Sequence, residues 1–114
     1  MRTVLACLVS ASLAIPAAAH HGWGSYDADN PVTIEGAIEE IALQNPHGEM
    51  VLPHEGESWL VTLAPLSRMN ARGADDIVLQ PGVHVTAYGY RQRDGRSEIR
   101  AEWIEVDEQR FQLR

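Results

Sequence analysis

The sequence predicts an all-β domain with one short helix, in which five strands form a small Greek-key barrel. Apolar and polar residues alternate in five separate segments, which is the pattern of half-buried strands. A single segment rich in helix-forming residues lies between the third and fourth of them. The first strand also places Gly36 on its apolar side, where a strongly bent strand needs room.

The first nineteen residues have the layout of a secretory signal peptide. Arg2 precedes an apolar stretch over residues 4–15, and Ala17 and Ala19 supply the small side chains that signal peptidase requires before its cut. The apolar stretch is shorter than the ~20 residues that span a bilayer core. We therefore expect a mature chain that begins at His20, has no membrane anchor, and is periplasmic or secreted.

This cleavage divides the chain into a signal peptide over residues 1–19, a turn-rich leader over 20–31 and an OB-like barrel domain over 32–114. Cys7, the only cysteine, leaves with the signal peptide, so no disulfide stabilises the mature domain. A lipid on Cys7 is disfavoured because a cut there would leave no hydrophobic region for export. A mature chain of this size suits a single domain.

The mature chain is acidic. It carries eight arginines, no lysine and sixteen carboxylates, a net charge near minus eight with neutral histidines. Such a surface repels phosphate backbones, so we expect no nucleic-acid partner. We also expect a monomer.

The first three strands lie before the helix. The segment 32–43 alternates from Val32 onwards and then changes parity, which predicts a bulge near Glu40. "NPHG" at 45–48 is a loop, and two short strands, "EMVL" and "SWLVTL", follow around the turn "PHEGE".

A helix and two further strands complete the domain. "PLSRMNARG" places Pro65 near a helix start and Gly73 at its end. The fourth strand follows the turn at Pro81, and Asp94-Gly95 closes a hairpin to a last strand from Ser97 to about Val106, with another bulge. This layout matches the OB-fold, with a five-stranded open sandwich as the alternative.

The mature chain as a whole resembles a family of small exported bacterial proteins of unknown function. The residues that carry the resemblance are His20-His21, Pro31, Gly36, "NPH" at 45–47, Trp59, Gly73, "LQPGVHV" at 79–85 and "RDG" at 93–95. This chain has Gly48 and Glu49 where the family often has an aromatic residue. The resemblance implies the fold and export but no activity.

The mature start has the chemistry of a metal site. Cleavage would give His20 a free α-amino group beside its imidazole, and His21 adds a second ring. Both kinds of group lose their protons at modest cost near neutral pH, and Cu(II) favours tetragonal nitrogen sites. We predict copper binding by His20 and His21, with His47 as the third ligand.

The competing interpretation is a solvated, mobile terminus with His47 capping its own loop. About ten residues of strand, ~33 Å, separate the leader from His47, although an extended leader could span that distance. Trp23 could pin the leader to the barrel. Simple exposure of Trp23 is the alternative to this pinning.

The remaining candidates for a site are weaker. We expect Met50, Trp59 and Trp103 to pack in the core, and His54 and His84 to be solvated.

The functional alternative is a non-catalytic binding module. It would use the Asn-Pro-His loop and an arginine-rich hairpin to bind an anionic or protein partner. The arginines in question are Arg91, Arg93, Arg96 and Arg100. No nucleophile and base or other catalytic motif is present, so we expect no enzyme activity.

Overall fold

The structure, a computed structural model, describes residues 22–114 as one sheet with a short helix at its end. A 3-10 turn over Trp23–Ser25 precedes the first strand. The strands are β1 (Tyr26–Ala37), β2 (Glu40–Ala42), β3 (Glu49–His54), β4 (Glu57–Thr62), β5 (His84–Gln92), β6 (Glu98–Val106) and β7 (Gln109–Gln112), with the helix α1 (Leu66–Arg72) between β4 and β5.

The strand order is β1-β5-β6-β4-β3-β2, and β7 pairs with β6. All pairs are antiparallel except β4 and β6, which run parallel. β1 and β2, at the two ends of this order, are consecutive parts of one segment that bends at Ile38 and Glu39. The backbone N–H of Ile38 donates to Val83 on one side, and that of Glu39 donates to Val51 on the other, both at 2.9 Å. The sheet is therefore a partly open barrel, as predicted.

The bend brings β1 against β3 at Gly36, as the sequence predicts. A Cβ atom at this position would lie 2.2 Å from the carbonyl oxygen of Pro53, so no larger residue fits without moving the backbone. The parity change expected near Glu40 is seen as the break between β1 and β2.

The helix α1 has the predicted ends. It follows Pro65 and stops at Gly73, whose φ of 81° is in the left-handed region that glycine tolerates. The side chain of Asn45 accepts a hydrogen bond from the first helical N–H, that of Leu66, at 3.1 Å. Met69 then points into the interior and is fully buried.

Apolar side chains from the strands and from α1 fill the inside of the barrel and form its core. Its largest fully buried members include Ile34, Met50, Leu52, Met69, Ile99 and Ile104. Trp59 and Met50 belong to this core, which confirms their predicted places.

Trp103 was predicted to lie in the core, and this prediction is wrong. Tyr88 pairs with Trp103 and Gly89 with Ala101, so Glu102 is the extra residue of a β-bulge. The sequence placed this bulge after Trp103, whereas in the structure it lies one residue before Trp103. The earlier bulge turns the Trp103 ring to the outer face.

Two features of the strands differ from the sequence prediction. β1 begins at Tyr26 and not at Val32, because a register shift between Tyr26 and Pro31 accommodates the turn-forming residues. β7 was not predicted, since its hairpin turns through Asp107 and Glu108 at positive φ without glycine or asparagine. Among residues 22–114, no helix combines the length and hydropathy needed to cross a membrane.

Candidate functional site

Of the three predicted metal ligands, His47 lies within the described part of the chain, whereas His20 and His21 lie outside it. His47 is half-buried in the loop between β2 and β3, and its Nδ1 atom is shielded from solvent. Residues 22–114 contain no group of three or more His, Cys, Asp or Glu side chains that could hold a metal ion by themselves.

Residues 22–26, which we call the N-terminal strap, pack on the outside of the barrel. The backbone N–H of Arg93 donates to the carbonyl oxygen of Ser25 at 3.0 Å, and its Nε donates to that of Gly24 at 2.9 Å. The side chain of Ser25 closes the 3-10 turn by donating to Gly22. These bonds tie the strap to the β5–β6 hairpin.

Trp23 holds the strap through its ring. The guanidinium carbons of Arg100 and Arg114 lie 4.4 and 4.3 Å from the ring centroid, within the range of cation–π attraction. The ring of Tyr90 approaches edge-on, with centroids 6.1 Å apart. Burial lowers the pKa of Arg100, to which the charges of Arg114 and Arg68 also contribute. Trp23 therefore packs against the barrel, a question that the sequence left open between pinning and simple exposure.

Tyr26 anchors the other end of the strap in a buried polar network. It is 1% exposed, yet it lies outside the interior apolar cluster. Its hydroxyl donates to Glu98 Oε2 at 2.8 Å, and Gln92 Nε2 donates to the same oxygen at 2.8 Å. Thr62 Oγ1 lies 3.4 Å from the hydroxyl. Burial raises the pKa of Tyr26, and the Glu98 carboxylate adds to the rise.

The strand register relates the strap to His47. Thr62 on β4 pairs with Arg100 on one side and with Glu49 on the other. Arg100 contacts Trp23, and Glu49 follows His47 by two residues. Two spacings between neighbouring strands are about 10 Å. Arg100, which the strap contacts through Trp23, is therefore two strand positions from Glu49 on the same sheet.

The arginine-rich hairpin is largely occupied by contacts inside the molecule. Arg91 donates to the carbonyl oxygens of Gly95 and Arg96 and lies over the ring of Trp59. Arg93 binds the strap, and Arg96 pairs with Asp94, whose pKa it lowers through the hydrogen bond. This hairpin presents fewer available cations than the sequence suggests.

His54 and His84 lie away from His47. Both contact Glu35 on β1: His54 Nδ1 is 3.3 Å from its backbone N–H and carbonyl, and His84 Nε2 is 3.6 Å from its carboxylate. His54 is half-buried and meets the edge of Trp59, and His84 is exposed. The structure does not bring either of them to the His47 loop.

The sequence interpretation missed a row of aromatic rings on the outer face of β5 and β6. Trp103 stacks on Tyr88 with centroids 5.2 Å apart, and Tyr88 meets Tyr90 at 6.2 Å. Arg110 caps the row at 3.7 Å from the Trp103 ring, and Trp23 ends it beside Tyr90. The alternation that places Tyr88 and Tyr90 on the polar side of β5 was the available signal.

A cavity of about 240 Å³ opens on the outer face of the sheet at β2, β3 and β4. It is lined by Glu40, Ile41, Ala42, Glu49, Met50, Val51 and Leu60, which belong to β2, β3 and β4.

Comparisons with known proteins bear on family and fold. A family model described as "Family of unknown function (DUF6152)" matches residues 8–100. No curated protein matches the chain. The crystal structure of the S. pombe Stn1-ten1 complex contains a similar chain, with a TM-score of 0.53 and 20% identity over 67% of this chain and 57% of that one. This chain thus spans little more than half of that neighbour, and the likeness supports an OB-like fold.

Proposed function

The chain belongs to the family of unknown function DUF6152, and we propose that this protein is an exported, non-catalytic OB-like protein that binds Cu(II) at its mature N-terminus. In this proposal residues 1–19 are removed on export to the periplasm or beyond. The α-amino and imidazole groups of His20 chelate the metal, His21 contributes a second imidazole, and His47 adds the third.

The observation that supports this proposal is the position of the N-terminal strap. Trp23 is held beside Arg100, two strand positions from Glu49 and the His47 loop. The two residues before Gly22 span about 7 Å when extended, and their side chains add to that reach. A mature start at His20 would therefore have the His47 loop within its range.

The donor set suits copper. Imidazole and amine nitrogens are the ligands that Cu(II) prefers in tetragonal sites, and Cu(II) has the highest affinity among the common divalent metals. The protein would contribute the amine and imidazole chelate, and the bound ion would contribute a redox-active centre. Residues 22–114 include no further histidine near this loop that could replace His47.

The test compares protein with a native start at His20 with a matched version that carries one extra alanine before it. Calorimetry measures the affinity for Cu(II), and paramagnetic resonance reports the number of nitrogen ligands. We expect the extension and His20→Ala each to weaken binding sharply, because both disrupt the terminal chelate. His47→Ala should remove one nitrogen, whereas His84→Ala, on the exposed end of β5, should change neither measurement.

Equal copper affinity in the native-start and extended proteins would refute the terminal site. The remaining hypothesis would be a binding module that uses the barrel loops. The internal contacts of Arg91, Arg93 and Arg96 leave that alternative less support than the sequence gave it.

A further inference from the structure

Val51 and Leu60 form an apolar pair on the outer face of β3 and β4. The residues on either side of each one belong to the buried core. Because side chains alternate between the two faces of a strand, Val51 and Leu60 point outwards. They pair with each other across the two strands, and both are half-buried. Together they form an apolar floor for the cavity of about 240 Å³.

Two carboxylates lie beside this floor. Glu40 on β2 is exposed and pairs with Val51, and Glu49 is half-buried and precedes Val51 by two residues on β3. Since Ala42 pairs with Glu49, the two glutamates are diagonal neighbours on adjacent strands. Diagonal neighbours lie about 7–8 Å apart, a distance that long side chains bridge. A single cation above Val51 is therefore within reach of both carboxylates.

The charge of this cavity is uncompensated by its own lining. Of the residues that the structure describes, seven line it, and they are the two glutamates and five apolar residues, none of them basic. Two like charges beside an apolar floor repel each other, and a cation between them relieves that repulsion. The whole chain is also acidic, with a formal net charge of −7, so its field attracts cations. The surface is thus complementary to a group with an apolar stem and a positively charged end.

We propose that this cavity, which we call the acidic groove, binds an arginine side chain of a partner protein. Arginine has the required apolar stem, and its planar guanidinium group carries five N–H donors. This fork donates to two carboxylates at once, which favours arginine over the point charge of lysine. In the complex the stem lies on Val51 and Leu60, and the guanidinium group lies between Glu40 and Glu49.

The test titrates the protein, without copper, with a blocked pentapeptide that has one central arginine among alanines. Two matched peptides replace the arginine with lysine or with citrulline, which keeps the shape of arginine but has no charge. Heteronuclear NMR follows the backbone amides. We expect the arginine peptide to shift the amides of β2 and of residues 49–51 in a saturable manner. The lysine peptide should bind about twofold more weakly and the citrulline peptide about fivefold more weakly.

Charge-removing variants locate the binding. Glu40→Gln and Glu49→Gln each remove one charge from the acidic groove, and Asp76→Asn removes one from the exposed loop that follows α1. Each groove variant should weaken binding of the arginine peptide about two- to fivefold, the range for a partly exposed ion pair. Asp76→Asn should leave the dissociation constant unchanged. The amide spectrum of each variant also reports whether it is folded.

Several results would overturn the proposal. Equal binding of the arginine and citrulline peptides would show that charge is not recognised, and equal weakening by all three variants would show only a general attraction to an acidic protein. Equal affinity for the lysine peptide would contradict the bridging of both carboxylates. If the amides of the groove instead shift with protein concentration in the absence of peptide, the occupant is a second copy of this chain.

Discussion

The hydroxyl group of Tyr26 shows how much a single buried hydrogen bond contributes to holding the N-terminal strap. Tyr26→Phe removes its O–H while Glu98 Oε2 stays buried with only Gln92 as a donor. Hydrogen bonds to charged groups contribute about 1.5–3 kcal/mol, so the free energy of unfolding should fall by that amount. Urea unfolding measures it, with Tyr88→Phe on the outer face as the control. Equal stability of the two variants would contradict the role of the network.

The same residue predicts a response to alkaline pH. The pKa of Tyr26 is raised above its ordinary 10.0, mainly by burial. The folded state therefore favours the neutral phenol, and its contribution to stability is complete below about pH 10 and is lost as pH rises through the raised pKa. The difference in phenolate absorbance between wild type and Tyr26→Phe isolates this titration. A midpoint at or below pH 10 would show that the hydroxyl is solvated.

The two tryptophans of the sheet should differ in their cost of removal. Trp59 is 7% exposed and belongs to the core, so Trp59→Ala should cost about 3–5 kcal/mol. Trp103→Ala should cost less, because its ring lies on the outer face against Tyr88 and Arg110. Thermal unfolding of the two variants checks the order, and the reverse order would place Trp103 inside.

At the scale of elements, the N-terminal strap makes a prediction about coupling between distant residues. Trp23→Ala removes the ring that Arg100, Arg114 and Tyr90 contact, so residues 22–26 should lose protection from amide exchange. If the strap holds the copper ligands near His47, then His47→Ala should weaken copper binding in wild type but not in the Trp23→Ala background. Additive effects of the two substitutions would show that the strap does not position the site.

The elements also show what the sequence could predict. Pro65 and Gly73 mark the two ends of α1 because their effects depend on the conformation of their own backbone. Gly36 marks the bend of the first strand for the same reason. The position of the bulge at Glu102 depends on pairing with β5, so the outward orientation of Trp103 could not be read from β6 alone.

The candidate site was predictable in its residues but not in its geometry. His47 and Trp23 stand out by residue type. Their relative placement, however, depends on Thr62 pairing with both Arg100 and Glu49, a register set by long-range contacts. The leader looked irregular because its glycines and aspartates favour turns locally, while the bonds that order it come from Arg93, about seventy residues away.

At the scale of the whole molecule, export should leave a chain that starts at His20. Intact mass of protein recovered from the periplasm should correspond to residues 20–114, because the alanines at 17 and 19 offer the best cleavage site. A retained signal peptide or a lipid on Cys7 would contradict this. Either result would also remove the free amine on which copper binding depends.

The parallel pairing of β4 with β6 has a consequence for the rate of folding. Leu60 pairs with Glu98, and the intervening chain holds α1 and all of β5. This contact joins residues far apart in the sequence, so the chain must lose much loop entropy before the pairing forms. We expect the barrel to fold in milliseconds to seconds, as domains with many non-local strand pairs do, and the four residues of β7 to add little to this time.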